Sequence, residues 1–322
     1  MRKKEKLKAE YPSIYKMKNF PLEMDFYIPS FDKNNIPGSE KTLTLSIKDC
    51  GEWYHEFIDK CIAACGHQYL PIYRMSDGEF LFVLGEQDFD VRLSLIEKTK
   101  LKLSNLKTKL VLNNGVGTWT EGHYHSGEYS FEEWQVAKQE QPGQIKEISE
   151  KGILALHLSF VHEPFAEHYW PALDKWIDKH KIMINENNYY PFYFVYAMLT
   201  GSRRSELLEG RRILVVNGAV GEKKQKIING LKKEGVAKVE WCSISLNRSM
   251  FDIINVEPFV GKIDLALVGA GIAKPHILLQ MEQLNVPCID AGFIFEVWAD
   301  TNNRWKRSYT GTDDDYEKVK KK

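Results

Sequence analysis

A chain of 322 residues, 43% hydrophobic and 27% charged, can bury one large or two modest cores and is too apolar to be disordered. Lys plus Arg and Asp plus Glu stand at 44 each, which argues against a nucleic-acid binder working through a broad basic face. Five cysteines without regular spacing point to a reducing compartment. The basic start Met1-Arg2-Lys3-Lys4 lacks the apolar stretch of a secretory signal, and no run approaches the ~18 apolar residues of a membrane span. A cytoplasmic protein with no membrane span is the expectation.

Residues 1–40 read as irregular, because Pro12, Pro21, Pro29 and Pro37 recur too often for a helix or central strand. Ile47, Cys50, Trp53, Phe57, Ile58, Cys61 and Ala64 then fall at spacings of three and four. This predicts an amphipathic helix closed by Gly66. Cys61 and Cys65, one turn apart near His67, read as apolar filling rather than a metal site, since no second pair accompanies them. Tyr69 to Met75 is β-branched and aromatic, a strand with Pro71 suited to its start. Two readings meet at Ser76-Asp77-Gly78-Glu79. Ser-x-x-Glu is a helix capping box, and spacing alone favours it. Asp77 and Glu79, two apart, can also face one hard divalent cation, with the planar fork of Arg74 placed for a phosphate.

Val91, Leu93, Leu95, Ile96, Leu103, Leu106 and Leu110 predict a second helix. The Gly- and His-rich stretch 113–130 follows as a candidate lid or acceptor loop, with His123 and His125 pointing one way on an extended chain. Ser130-Phe131-Glu132-Glu133 is another capping box, its helix expected to stop at Gln141-Pro142-Gly143. Ile153 to Ser159 reads as a buried strand in which His157 is a core histidine, while His162 and Glu163 lie just past its end, where sites in open sheets collect. Pro164 to His180 predicts a helix with Trp170, Leu173, Trp176 and Ile177 as its stripe. The Asn185 to Tyr190 loop enters an aromatic helix that is either core or, less favoured, a stack for a base or sugar. Arg203, Arg204, Arg211 and Arg212 flank a short helix and are expected to be solvated charge, with a diphosphate as the other option.

From Arg212 onward strands alternate with helices. Ile213–Val216, Ala237–Ile244, Ile263–Val268 and Cys288–Asp290 are the strands, and Asn217-Gly218 and Gly269-Ala270-Gly271 are turns at strand ends. Such alternation means a parallel sheet that binds ligands at its carboxyl edge. Backbone N–H groups at the following helix starts would face a phosphate. An NAD or adenosyl-methionine site is the runner-up: Asp290 lies 19 residues past Gly271, as a ribose-binding acid would, but Lys274 stands where the third Gly of a dinucleotide motif belongs. Lys274 and His276 suggest phosphate contact either way.

Arg74-x-x-Asp77-Gly78-Glu79 resembles the signature of the GT-D fold glycosyltransferases, close to R-(F/Y)-G-D-G-E. Ile213–Val216, Ile263–Gly269 and Pro287–Gly292 resemble the last three strands of that family, and Glu296-Val297-Trp298 its closing acidic-aromatic stretch. Met75 and Ser76 stand where the pattern has an aromatic and a Gly, and Phe293 where it has a His. The resemblance implies one α/β domain over 41–300 with a Rossmann-like, mostly parallel sheet flanked by helices, followed by a polar tail over 301–322. It implies a metal-dependent hexosyltransferase moving sugar from a nucleotide diphosphate-sugar, expected as UDP-sugar, to a hydroxyl of a glycan or other acceptor. Asp77 and Glu79 would hold Mn²⁺ or Mg²⁺ and Arg74 the diphosphate. Asn217, Gly218, Gly269 and Gly271 would line the nucleotide pocket, with Asp290 and Glu296 as ribose contact or general base.

Overall fold

A computed structural model describes residues 24–26, 40–42, 50–84, 96, 99, 129, 131–156, 173, 175–185, 187–201 and 203–300. A short antiparallel pair, β1 (Met24–Phe26) with β2 (Glu40–Thr42), precedes the main sheet. The sheet strands are β3 (Leu70–Met75), β4 (Ile153–Leu156), β5 (Tyr189–Pro191), β6 (Arg212–Asn217), β7 (Lys238–Ser243), β8 (Leu265–Gly269) and β9 (Pro287–Asp290). All seven run parallel, in the order β5-β4-β3-β9-β8-β6-β7. The flanking helices are α1 (Cys50–Ala64), α2 (Asp77–Leu84), α3 (Phe131–Lys151), α4 (Phe192–Thr200), α5 (Arg204–Leu208), α6 (Gly221–Lys233), α7 (Lys274–Leu279) and α8 (Ile294–Ala299). The expected α/β class with a parallel, Rossmann-like sheet is what the chain forms.

Central strands covered on both faces have no wet side, so their sequences are unbroken apolar runs. Every described residue of β3, β4 and β9 is buried. Each fully buried Leu, Ile or Val contributes about 1.5–3 kcal/mol. Pro71 is tolerated in central β3 because pairing with β4 begins one residue later, at Ile72 opposite Ile153. Gly152 lets that junction close, since a Cβ there would stand 2.1 Å from the Pro71 carbonyl oxygen. By contrast β7 at the edge keeps charged Lys238 and Glu240 among half-buried residues, a pattern that blunts edge pairing.

In α1, Phe57, Ile58, Cys61 and Ala64 are buried as their spacing predicts, and Gly66 takes φ 75° just beyond. The Cys65 thiol is buried, donates to the Cys61 carbonyl at 3.4 Å and is pushed up to about 11 by burial, so the pair serves as core filling. The break expected at Pro142 does not occur. Helix α3 runs 21 residues straight through it, because Ile145 and Ile148 beyond the proline are buried in the core, and that packing outweighs one lost backbone hydrogen bond. Tyr189 and Tyr190 open strand β5 rather than a ligand stack. The Asn188 amide donates to the Ser149 and Met183 carbonyls at 2.7 and 2.9 Å, holding the loop shut. Leu173, Trp176 and Ile177 are buried as expected. The 100–128 stretch with His123 and His125, and His157, His162, Glu163, Trp170 and the 301–322 tail, lie outside the described residues.

The four arginines sit away from the strands' carboxyl ends. Arg203 pairs with Asp59 and Glu206, Arg204 with Glu234, and Arg212, first residue of β6, with Asp264 at 2.6 Å. Hydrogen bonds from Arg212 hold the Asp264 carboxyl below its usual range. A carboxyl depressed in the folded state stabilises above its unfolded value and loses that contribution as pH falls through the folded one. The difference in melting temperature between the native chain and Asp264→Asn is therefore expected to be present at neutral pH. It should close as pH falls below the ordinary 3.8, which a pair of melting curves would check.

Candidate active site

From β6 the chain passes to β7 on one side and then crosses back to β8 on the other. Loops leaving β6 and β8 therefore diverge, and a crevice opens between them at the carboxyl edge. It is a pocket of 470 Å³ whose walls include Asn217, Gly218, Gly269, Gly271 and Glu296. All four residues expected to line a nucleotide pocket are thus brought together, with one of the two expected acids.

The floor is held by one side chain. Asn217 accepts the Ala219 N–H on Oδ1 at 2.8 Å and donates from Nδ2 to the Gly269 carbonyl at 3.2 Å, tying the two turns to each other. Glycine is required beside it, because a Cβ on Gly269 would lie 2.4 Å from Asn217 Nδ2 and 2.7 Å from the Phe295 ring. A short 3₁₀ turn, Ser249–Phe251, supplies an apolar wall through Met250, whose N–H donates to the Tyr129 hydroxyl at 2.9 Å. The amino end of α6 opens at the rim. Its preceding residue, Val220, is extended and gives no side-chain cap, so N–H groups of the first turn remain available to an anion. Lys223 in that turn pairs with Glu296 of α8 at 2.5 Å. Tyr129, Ile244 and Met250 are pocket residues that sequence spacing does not reveal, since only the crossover brings their loops to this edge.

A second polar cluster lies at the ends of β3 and β9. These strands are registered Ile72 to Ile289, which brings Arg74 against Asp290. The Arg74 side chain donates from Nη2 to Asp290 Oδ1 at 2.9 Å and from Nε to the Asp290 carbonyl at 2.6 Å, and the Arg74 backbone N–H reaches Oδ2 at 3.1 Å. The guanidinium carbon lies 4.4 Å from the Tyr196 ring centroid and 5.1 Å from that of Phe192, within cation–π range of both rings. Burial, the largest single influence, would lower the Arg74 pKa, but the Asp290 charge and hydrogen bond together with Tyr196 and Glu79 outweigh it and hold the group above its ordinary value. Gly292, at φ 51°, leaves room for this packing, as a Cβ would come within 1.8 Å of Arg74 Nη2.

Lys274, first residue of α7, completes the cluster from the pocket side. Its ammonium lies 2.5 Å from Glu79 Oε1 and 3.0 Å from Asp290 Oδ2. Glu79 in turn accepts the Ser76 N–H on Oε2 at 3.0 Å, the capping-box bond that starts α2. Burial, then the charges of Glu79 and Asp290, push the Tyr73 hydroxyl well above its ordinary range.

The expected site residues therefore divide. Glu296 borders the pocket, whereas Asp290 is fully buried with both carboxylate oxygens engaged. Arg74, 2% exposed, faces Asp290 rather than the pocket, and Lys274 and His276 point to internal partners, His276 to the Asp252 carbonyl at 2.9 Å. The Asp77 side chain lies outside the described residues. Among the described residues no three His, Cys, Asp or Glu side chains converge on a point, and the cation beside Glu79 is an ammonium. Of the two acids expected to hold a divalent ion, the described one, Glu79, is engaged by that ammonium. No family model, curated protein or solved structure matches this chain. No helix among the described residues is long and apolar enough to cross a membrane.

Proposed function

We propose that this chain is a glycosyltransferase of GT-D type that takes a nucleotide diphosphate-sugar into the pocket between β6 and β8 and passes the sugar to an acceptor hydroxyl. The observation that carries the reading is the pocket itself. It is a crevice at the switch point of a parallel sheet, floored by two glycine turns and rimmed by the uncapped start of α6. Its volume suits a nucleotide-sized ligand. Apolar walls at Ile244, Met250 and Ile272 suit a base, and the α6 start with Lys223 suits the diphosphate. Glu296 is the acid placed to accept the acceptor's proton, since Asp290 is sealed into its ion pairs and acts as a positioning residue.

Two features weigh against the dinucleotide alternative. Strand β7, where a ribose-binding acid would stand after the first glycine turn, ends in Ser243. Asp290, the other acid at a suitable spacing, is withdrawn from the pocket. A thermal-shift panel of UDP, UDP-sugars, NAD and adenosyl-methionine tests the reading. UDP and at least one UDP-sugar should raise the melting temperature, and a response to NAD or adenosyl-methionine alone would refute the proposal. In a sugar-release assay Glu296→Gln is expected to lower kcat by about 10²-fold or more while nucleotide affinity changes little. An unchanged kcat removes Glu296 as the base.

A further inference from the structure

The cluster at the β3 and β9 ends has the form of a cation site whose cation belongs to the protein. Glu79 and Asp290 are 195 and 16 residues from Lys274 in the chain, yet one oxygen of each lies within 3.0 Å of its Nζ. Carboxylate oxygens converging on one buried point are what a hard divalent cation asks for. Here α7 delivers an ammonium to that point, and its side chain is 7% exposed. Among the described residues the charges balance: Arg74 and Lys274 against Glu79 and Asp290. The other carboxylate contacts are donors too, Ser76 N–H to Glu79 and both the Arg74 backbone and side chain to Asp290. An added divalent ion would have to expel Lys274 and then share the acids with Arg74, at a low effective dielectric that magnifies repulsion between cations.

We propose that Lys274 is a built-in substitute for a divalent ion, so that nucleotide binding in the adjoining pocket requires no metal held by Glu79. The ammonium joins the two parts of the site: Ala273 lines the pocket, and Lys274 follows it directly into the acid pair. The identity of the pocket ligand rests on the glycosyl-transfer reading, while the assignment of the cation does not. Removing the ammonium leaves two buried carboxylates facing one point with an uncompensated negative charge, which is the condition for recruiting Mn²⁺.

The full-length chain and its Lys274→Ala variant are melted with Mn²⁺ alone, with UDP plus EDTA, and with UDP plus Mn²⁺. Mn²⁺ alone should leave the native chain unmoved and raise the midpoint of Lys274→Ala by roughly 2–4 °C at about ten times its dissociation constant. The UDP shift of the native chain should be the same in EDTA and in Mn²⁺. The inference is overturned if Mn²⁺ tightens UDP binding to the native chain about tenfold or more and Glu79→Gln abolishes that gain. If UDP does not shift the native chain under either condition, the glycosyl-transfer reading falls, and the Mn²⁺ response of Lys274→Ala decides the cation assignment alone: a rise supports it and no rise overturns it. Should Lys274→Ala not fold, the native chain decides by Mn²⁺ calorimetry with Glu79→Gln as control, where saturable binding lost in that variant overturns the assignment and no binding supports it.

Discussion

Asp290→Ala is expected to lower the free energy of unfolding by about 3–5 kcal/mol, the range for removing one partner of a buried ion pair. The carboxylate is fully buried and meets Arg74 and Lys274 at 2.9 and 3.0 Å. Its loss leaves Arg74, 2% exposed, with no opposite charge in hydrogen-bond contact among the described residues. Lys274 keeps Glu79, so the penalty falls mainly on the guanidinium. Urea unfolding of Asp290→Ala, Arg74→Ala and the double variant measures this as a cycle. The double variant should cost well under the sum of the singles, because it removes the stranded charge along with its partner. Additive losses would mean that the pair contributes no coupling, and the account of Arg74 as a structural group locked by Asp290 would fail.

Gly269→Ala carries the second large effect, on binding as well as stability. The added methyl would sit 2.4 Å from Asn217 Nδ2 and 2.7 Å from two carbons of the Phe295 ring. Phe295 is 2% exposed and cannot swing into solvent, so the Asn217 amide must give way and release the bond that joins the two turns. Overpacking of this kind costs about 1–3 kcal/mol, and UDP affinity should fall by about tenfold or more as the pocket floor opens. Gly271→Ala is the control. Nothing stands within 4 Å of its added Cβ, so only the backbone preference at φ 55° is offended, at about 1–2 kcal/mol. Equal loss of UDP binding in the two variants would show that the Asn217 bridge does not shape the pocket.

The half from β6 onward was legible before any coordinates because β6, β8 and β9 are short apolar runs that end in a glycine turn or a lone polar residue. Those signals are local. A strand buried on both faces must be apolar throughout, and a turn into a helix must have a residue that tolerates it. The pocket-lining glycines Gly218, Gly269 and Gly271 followed from the same rule. The region around Pro142 misled for the converse reason: proline's local penalty is visible in sequence, and the buried Ile145 and Ile148 that offset it are visible only when the core is assembled. Strand β5 was hidden for a similar reason, being three residues long and secured by pairing with β4.

The acidic stretch after β3 shows the boundary most clearly. Ser76 and Glu79 determined the start of α2 by themselves, since a capping bond spans three residues. What Glu79 faces beyond that bond was decided by Lys274, 195 residues on in the chain, and what Arg74 faces by Asp290, which the pairing of β3 with β9 brings within hydrogen-bond reach. Amino-acid order alone determined the parallel α/β class, the glycine turns and the capping box, because those depend on backbone sterics and nearest neighbours. Only the tertiary structure decided which charges meet, because Coulomb and hydrogen-bond energies depend on distances of a few ångströms between groups that chain order leaves far apart.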